Sequence, residues 1–389
     1  MGKKQIFSNI SKWFIVVLVL AALLVAGKQK NTEEELNFFQ IGKEMIKNGV
    51  TKQLLYSQST ILGLFAEQEF SVWSTKPVMR TDGFLPYEEV DELLVLSEEA
   101  EDKLRKENEK SVETVKEEFF FDGSWNFEPA VKEAQKILPE NYGNLDELVK
   151  AFYTVDPTTS VDETILNAER LLSYDCTVDK ESEGPQILLY HTHSQEGFVN
   201  SEPGKEEDTI VGAGVVLAEL LEGYGFRVYH HKEKYDVESR DYAYSNALCE
   251  IEKILQENPQ IQVVIDLHRD AVAEGTKLVT DIQGHPVAKV MFFNGLGRTK
   301  DQGEISYLKN PYLQENLAFS FQMKLFCDTY YPGFARKIYL RAYRYNMHLC
   351  PKTLLVELGA QTNTKEEIQD ALKPLAHVLS MVLSKKENG

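Results

Sequence analysis

The sequence contains 389 residues, and 61 aspartate and glutamate residues against 42 lysine and arginine residues give a formal charge of −19. A chain this acidic is not expected to bind nucleic acid, whose phosphates attract basic surfaces. With 43% hydrophobic and 26% charged residues the chain can bury a core, which excludes wholesale disorder. The four cysteines form no CxxC pair, so neither a disulfide framework nor a cysteine zinc site is predicted.

The first predicted element is an uncharged apolar segment, residues 13–27 (WFIVVLVLAALLVAG), which follows three lysines. Its helix would span about 22 Å, short of the hydrocarbon core of about 30 Å, and this length is also typical of a signal peptide. We favour an uncleaved anchor over cleavage, because Lys12 can extend to the interface while Phe7 and Ile10 lengthen the apolar stretch. Residues 1–30 are therefore predicted to be a cytoplasmic tail and a single-pass anchor in the cell membrane, with the remainder outside the cytoplasm.

Residues 31–183 are predicted to be an acidic, mainly helical spacer or small N-terminal domain. They hold 34 acidic against 15 basic residues, whereas residues 184–389 hold 27 against 22. Apolar residues recur at helical spacing over 31–69 and 125–172, and the charged run 97–121 is interpreted as a solvated helix or a disordered spacer. No catalytic motif is found in this region.

The sequence pattern changes after Pro185 to short β-branched runs that alternate with helical patterns, which predicts an α/β domain over residues 184–389 with a twisted, mostly parallel sheet. The predicted strands are Ile187–Tyr190, Arg227–His230, Val263–Leu267 and Leu354–Glu357. A hairpin is predicted from Leu278–Ile282 to Val287–Phe293, with its turn at Gln283 and Gly284. The predicted helices are Thr209–Gly223, Arg240–Gln256, Leu313–Tyr330 and Lys365–Leu383.

The last helix carries two local signals. Thr364 and Glu367 have the spacing of a capping box, which predicts that the helix begins after Thr364. Pro374 lies inside the pattern and predicts a kink or a break near Leu372.

Three predicted strands lead into residues that bind metals or move protons. The first is followed by His191, His193 and Glu196, the third by His268, and the last ends in Glu357. If these strands are parallel neighbours, their tips meet at one edge, where open α/β sheets bind ligands. Two histidines and a carboxylate, with one position left to water, form the ligand set of a catalytic zinc, and a further carboxylate supplies a base.

The alternative for any histidine is an ordinary surface or core residue, and this reading is preferred for His230, His231, His285 and His377. It is disfavoured for His193 and His268, because each ends an apolar strand where burial otherwise selects a hydrophobic residue. Of His191 and His193, one is expected to bind the metal and the other to act as a supporting or transition-state group.

Other motifs are weaker. Residues 212–214 (GAG) lack the remaining spacing of a dinucleotide-binding loop, and Ser194 lacks the GxSxG context of a serine hydrolase. Cys350 lies two residues from His348, but this spacing alone does not predict a cysteine peptidase.

Four ordered segments make the second half of the chain resemble the stage II sporulation protein P family: YHTHSQEGF (190–198), IDLHRDA (265–271), YPGFARKIYLRAYRYNMHL (331–349) and LLVELGAQTNTKEE (354–367). The resemblance covers residues 186–383, whereas the N-terminal half matches only in its layout of anchor and spacer. It implies an amidase-like α/β fold and a membrane-anchored peptidoglycan hydrolase related to the zinc N-acetylmuramoyl-L-alanine amidases.

The resemblance also implies roles for individual residues. His193 matches the first zinc histidine better than His191 does, His268 matches the second, and Glu357 matches the catalytic glutamate. The carboxylate ligand matches Glu196 in the HTHxxE pattern of the sporulation family. The broader amidase family instead uses a glutamate at the start of the first helix, where the acids are Glu206, Glu207 and Asp208. We prefer Glu196.

The arginines supply the remaining candidates. Arg269, Arg341 and Arg344 can hold substrate carboxylates by bidentate pairing, with ordinary salt bridges as the alternative. We assign Arg269 and His191 to the catalytic group, and the substrate-binding group is Arg341, Arg344 and Asn346.

The resemblance implies hydrolysis of the amide between the lactyl group of N-acetylmuramic acid and L-alanine, with peptide cross-links as a further target, during spore engulfment. Zinc is the expected cofactor and peptidoglycan the expected substrate. A lytic transglycosylase and a membrane protein of the engulfment machinery are the implied partners. Two alternatives stay open: a wall-binding or scaffold protein that holds metal without turnover, and a zinc peptidase of the same fold.

Overall fold

The computed structural model describes residues 125–130 and 142–385, all of which belong to one compact unit. The predicted membrane anchor at 13–27 and the patterns predicted between residues 31 and 121 lie outside this part of the chain. None of the helices within the described residues combines the length and the hydropathy that a membrane span requires.

Six α-helices and eleven strands make up the described residues. The helices are α1 (Leu145–Phe152), α2 (Ala168–Ser173), α3 (Ile210–Gly223), α4 (Ala243–Glu257), α5 (Leu313–Tyr330) and α6 (Lys365–Leu383). The strands are β1 (Tyr153–Val155), β2 (Ile187–Tyr190), β3 (Val228–His230), β4 (Val263–Asp270), β5 (Val279–Ile282), β6 (His285–Ala288), β7 (Val290–Gly295), β8 (Arg298–Thr299), β9 (Gly303–Glu304), β10 (Ile338–Arg341) and β11 (Thr353–Ala360). Two short 3-10 helices span Glu206–Asp208 and Arg240–Tyr242.

Seven strands form the central sheet, in the order β1-β10-β7-β11-β4-β2-β3. Every neighbouring pair is parallel except β7 and β11, which are antiparallel. The prediction of an α/β fold with a mostly parallel sheet is therefore confirmed. The strands β2, β4 and β11 are adjacent and parallel, so their carboxyl ends meet at one edge.

The central strands are buried on both faces, which is why they appear in the sequence as continuous apolar runs. Alternate residues enter different cores: Leu189 and Ile265 join the larger core with helices α3, α5 and α6. Leu188 and Val264 join a smaller core with helix α4. We call the side covered by α4 the front of the sheet and the side covered by α3, α5 and α6 the back.

The unit that contains this sheet begins no later than Leu145, earlier than the boundary at residue 184 that the sequence pattern suggests. Strand β1 pairs in parallel with β10 at the edge of the sheet. Leu148 and Leu171 are fully buried in the larger core. Elements as short as β1 and α2 do not show a periodic pattern that the sequence alone can reveal.

Helix α6 begins as predicted and continues past the predicted break. Thr364 Oγ1 accepts a hydrogen bond from the Glu367 backbone amide at 3.3 Å, and Glu367 Oε2 accepts one from the Thr364 amide at 3.0 Å, which confirms the capping box. Pro374 does not end the helix, because Leu372 and Leu375 on either side of it are fully buried against the core.

The predicted hairpin is present as β5 and β6, which pair in antiparallel register. Gln283 and Gly284 form its two-residue turn with φ angles of 58° and 84°. Such left-handed backbone at both turn positions matches the right-handed twist of the flanking strands. The second predicted strand divides after Ala288, since β7 leaves the hairpin and pairs with β11 in the central sheet.

Candidate active site

The candidate site lies at the carboxyl ends of β2, β4 and β11, on the front of the sheet. In the strand register Tyr190 is opposite Asp266, and His268 is opposite Glu357. Because partners in a sheet ladder project from the same face, His268 and Glu357 lie side by side. The parallel arrangement thus brings together residues that are up to 164 positions apart in the sequence, from 193 to 357.

His268 is buried and held by a carboxylate from its own strand. Its Nε2 lies 2.8 Å from Asp266 Oδ1, as an ion pair rather than a well-aligned hydrogen bond. The backbone amide of Thr192 donates to Asp266 Oδ1 at 2.9 Å, and the Thr192 hydroxyl donates to Oδ2 at 2.6 Å. Burial opposes protonation of His268, but Asp266, Glu196 and Glu357 outweigh it and raise its pKa to about 9.

Glu196 lies in the loop after β2, where its carboxylate is buried and held at both oxygens. Arg240 donates to Oε1 at 2.9 Å, and the backbone amide of Arg269 donates to Oε2 at 2.9 Å. The same Oε2 lies 3.7 Å from His268 Nδ1. Burial by itself raises the pKa of Glu196, but His268, His193 and the two arginines together lower it below its ordinary value.

His193 is buried beside His268, with ring centroids 5.3 Å apart. Tyr244, at the start of helix α4, contacts His193 edge to face at 5.7 Å and stacks on His268 at 6.3 Å. Tyr345 packs edge to face against Tyr244, with ring centroids 5.3 Å apart. These rings fix the orientation of the two imidazoles and form an aromatic wall on one side of the site.

Glu357 is partly exposed, but its Oε2 is buried and has no hydrogen-bond partner among the described residues. Burial raises the pKa of Glu357 to about 8. The negative charges of Asp270 and Glu196 also raise this pKa, whereas the positive charges of His268 and Arg269 lower it. A carboxyl group whose pKa lies near neutrality can accept and return a proton at physiological pH.

His191 lies on the back of the sheet, although it is only two residues from His193. Its Nδ1 donates to the carbonyl oxygen of Leu267 at 2.8 Å, because that oxygen can only accept. Its Nε2 must then accept from His230 Nε2 at 2.8 Å. Burial lowers the pKa of His191 to about 4 and that of His230 to about 3, so the pair is neutral. Strand β2 ends at Tyr190, and the chain turns there, so residues 191 and 193 diverge.

The predicted site residues are not all in one place. Arg269 lies at the site, where its Nε donates to the Gly197 carbonyl at 3.2 Å. Arg341 is opposite Gly295 in β7, whereas Glu357 is opposite Met291 in the same strand. Gly295 is four residues beyond Met291, which corresponds to about 13 Å along the strand. Arg341 therefore belongs to the opposite end of the sheet.

Arg344 and Asn346 are buried in the segment after β10. Arg344 Nη1 donates to the carbonyl of Lys309 at 3.1 Å, and Asn346 Nδ2 donates to the carbonyl of Tyr244 at 2.9 Å. Through the latter bond Asn346 holds the start of α4, and with it Tyr244, against the front of the sheet. The substrate-binding roles of Arg341, Arg344 and Asn346 stay predictions.

The alternative carboxylates are engaged elsewhere. Glu206 pairs with Lys234 at 2.8 Å, and Glu207 is exposed to solvent. Asp208 Oδ1 accepts from Lys365 Nζ at 2.6 Å. Of the four acids considered as metal ligands, Glu196 lies next to His268, with its Oε2 3.7 Å from His268 Nδ1.

Sequence reasoning missed three supporting residues. Asp266 carried a signal, because its spacing of two from His268 places both on the same face of a strand. Arg240 and Tyr244 carried none, since they come from a 3-10 helix and the start of α4, whose positions depend on tertiary packing. No group of three or more His, Cys, Asp or Glu side chains within the described residues is already arranged to hold a metal ion.

Several solved structures align with about half of this chain. Amidase AmiC2 of Nostoc punctiforme matches 52% of this chain and 97% of its own, with 11% identity and a TM-score of 0.31. The CwlD amidase of Clostridioides difficile, solved in complex with the GerS lipoprotein, matches 50% and 95%, with 16% identity and a TM-score of 0.32. The amidase Ami1 of Mycobacterium abscessus matches 51% and 96%, with 15% identity and a TM-score of 0.34.

Sequence comparison identifies one family. A stage II sporulation protein P of Bacillus subtilis (strain 168) is 24% identical over 215 residues, which are 50% of this chain and 50% of that protein. The chain thus spans about half the length of the curated relative it matches. The family model described as stage II sporulation protein P (SpoIIP) matches residues 73–380, which is more than three quarters of the sequence. The chain therefore belongs to the stage II sporulation protein P family.

Proposed function

We propose that this protein is a zinc-dependent peptidoglycan hydrolase that cleaves the amide between N-acetylmuramic acid and L-alanine during cell-wall remodelling in sporulation. Family membership supports the general role. The observation that carries the chemistry is the position of Glu357, whose pKa is raised to about 8, beside His268, with His193 and Glu196 next to them.

The side chains at the site fit a zinc ion in their chemistry and in the separation of one ligand pair. Ligands at about 2.1 Å from a tetrahedral zinc are about 3.4 Å from one another, and Glu196 Oε2 lies 3.7 Å from His268 Nδ1. The other nitrogen of His268 faces Asp266, as is usual for a metal-binding histidine held by a carboxylate. His193 is the third proposed ligand.

Each residue then has a defined task. Zinc, when bound, makes water more acidic and polarises the amide carbonyl. Glu357 takes a proton from the attacking water through a carboxylate oxygen and returns it to the leaving nitrogen. Asp266 keeps His268 in one orientation, and Arg240 with the Arg269 amide keeps Glu196 in place. Tyr244 and Tyr345 exclude water from one side of the site.

The wider setting is part of the same proposal. The apolar segment at residues 13–27 anchors the chain in the cell membrane and leaves the hydrolase on the outer side. Peptidoglycan is the substrate, and cross-links in its peptides are a further target. A lytic transglycosylase and a membrane protein of the engulfment machinery are the proposed partners.

Mass spectrometry of the muropeptides released from purified sacculi tests the function. The full chain in detergent is incubated with the sacculi, with and without a zinc chelator and with added zinc. We expect free stem peptides that begin with L-alanine, lost on chelation and restored by zinc. Cut cross-links with an intact lactyl amide would indicate a zinc peptidase instead, and an unchanged profile would indicate a wall-binding protein.

A further inference from the structure

A second cluster of charged residues lies next to Glu357 and centres on Arg336. The backbone amide of Arg336 donates to the carbonyl of Val290 at 2.8 Å, and Ala335 pairs with Val290 in a parallel bridge. Val290 is opposite Leu358, the residue after Glu357. The backbone of Arg336 is therefore fixed beside the strand end that carries the proposed base.

The guanidinium of Arg336 is buried with only part of its hydrogen-bonding capacity used. Nη1 donates to Asp270 Oδ2 at 2.6 Å, and the side chain is 2% exposed. Nε and Nη2 are buried and have no hydrogen-bond partner among the described residues. Leaving buried N–H groups of a charged side chain unsatisfied is unfavourable, so these two donors call for an acceptor.

The surroundings favour an anion as that acceptor. Lys289 is buried two residues before Met291, and its carbonyl accepts from the Gly359 amide at 2.9 Å, so it lies on the same face as Glu357. Burial, and secondly the charge of Arg336, lower the pKa of Lys289 to about 8. Asp270 is the carboxylate that pairs with this cluster, and its second oxygen already accepts from the Ala271 amide.

The two unsatisfied donors also have a defined geometry. Nε and Nη2 form one edge of the guanidinium, from which two N–H bonds point in parallel toward a planar acceptor. A carboxylate matches this edge with both oxygens. Asp270 is 18% exposed and Glu357 is partly exposed, so solvent reaches the border of the cluster at these two carboxylates.

We propose that Arg336, with Lys289 beside it, forms a subsite that binds a free carboxylate of the peptide part of the substrate next to Glu357. This inference rests on the proposed function, because peptidoglycan stem peptides supply the carboxylate. The subsite determines specificity and takes no part in proton transfer.

The test uses N-acetylmuramoyl peptides in which each carboxylate is converted in turn to a carboxamide. With the full-length protein, we expect conversion of one particular carboxylate to raise KM about tenfold or more with little change in kcat. In Arg336→Lys, which keeps a charge but loses the two-donor edge, this discrimination should shrink to about twofold. Arg336→Lys should cleave the amidated peptide at the same rate as the unmodified protein does.

Arg298→Lys is the matched control. Arg298 also has a buried Nε with no hydrogen-bond partner in the described part of the chain, and it pairs with an acid, Asp162, at 3.0 Å, but it follows the far end of β7. Arg298→Lys should leave the discrimination unchanged. Equal discrimination in Arg336→Lys and the unmodified protein, or an equal loss on every peptide, would overturn the subsite. If Arg336→Lys does not fold, Lys289→Gln takes its place and should weaken the same discrimination.

Binding separates this inference from the proposed function. Calorimetry with the full-length protein should show about tenfold tighter binding of the free acid than of its amide, and Arg336→Lys should abolish the difference. If the unmodified protein binds with this preference but cleaves no peptide, the hydrolase proposal fails and the subsite stands. If it cleaves every peptide but shows no preference in binding, the subsite fails alone.

Discussion

Both the front and the back of the sheet hold buried histidines, and the two faces use them differently. On the back, both ring nitrogens of His191 are hydrogen bonded at 2.8 Å, and burial keeps the ring neutral. On the front, His268 lies among carboxylates that raise its pKa to about 9. The comparison teaches that a buried histidine is structural where its neighbours saturate it, and available for chemistry where they surround it with charge.

The largest expected effect is on the front. Glu357→Gln removes the proposed base while keeping the size of the side chain, so release of stem peptides should fall by about 10²–10⁴-fold. The measurement is the initial rate of muropeptide release by the full-length protein, with thermal unfolding to verify the fold.

Glu367→Gln is the matched control for that variant. Glu367 is likewise a glutamate of this domain, but it closes the capping box of α6 and pairs with Lys277 at 2.5 Å. Its replacement should lower stability by about 1 kcal/mol and leave the rate unchanged. Full activity in Glu357→Gln would contradict the proposed mechanism, in which Glu357 is the base.

The next effect concerns metal affinity. Asp266→Asn removes the charge that orients His268, so zinc affinity should fall by about 10–100-fold. Competition with a chromophoric chelator measures it. Asp370→Asn is the control, because Asp370 is buried on α6 and pairs with Lys373 at 2.8 Å, away from the strand ends. Equal zinc affinity in the Asp266 variant and the unmodified protein would mean that His268 does not bind zinc through Nδ1.

On the back of the sheet, substitution should affect the stability of the fold rather than metal affinity. His230→Ala leaves His191 Nε2 buried without its donor, so the free energy of unfolding should fall by about 1–3 kcal/mol. Zinc affinity should change by less than about twofold, since neither ring reaches the front. Urea unfolding and the same chelator competition measure both quantities. A large loss of zinc affinity in this variant would break the distinction between the two faces.

The sequence predicted the strands that position the site, because buried parallel strands are continuous apolar runs and their tips carry His193, His268 and Glu357. It also predicted α5 and α6 at the bounds that the structure has. It did not predict β1 or β10, which are strands of only three and four residues. It placed Arg341 in the substrate-binding group, but the antiparallel pairing of β7 with β11 sends the end of β10 to the opposite end of the sheet.

The contacts between side chains were harder to predict than the strands. His230 was assigned an ordinary role on its own, and its partnership with His191 depends on how β3 lies beside β2. Arg336 was not selected at all, because nothing in its local sequence reveals that two of its buried N–H groups lack an acceptor among the described residues. Both cases depend on tertiary packing, which a one-dimensional pattern does not contain.

The smallest effect is a difference in pH dependence between the two faces of the metal-free protein. The pKa of His230 is about 3 in the folded protein, below its ordinary value of 6.5, so the unfolded chain binds the proton more readily. Stability from this group is present above pH 6.5 and is lost as the pH falls. Glu357 acts in the opposite sense, because its pKa of about 8 lies above its ordinary value of 4.5 and its contribution is lost as the pH rises.

Comparing the unmodified protein with His230→Ala isolates the back, since Glu357 contributes equally to both. The stability advantage of the unmodified protein should shrink by about 1 kcal/mol between pH 7 and pH 5.5, within the limit of about 1.4 kcal/mol per pH unit for one group. Urea unfolding with a chelator present measures it at each pH. An advantage that stays constant over this range would mean that His230 is protonated as readily in the folded protein as in the unfolded chain, and the back would then not be a saturated, neutral pair.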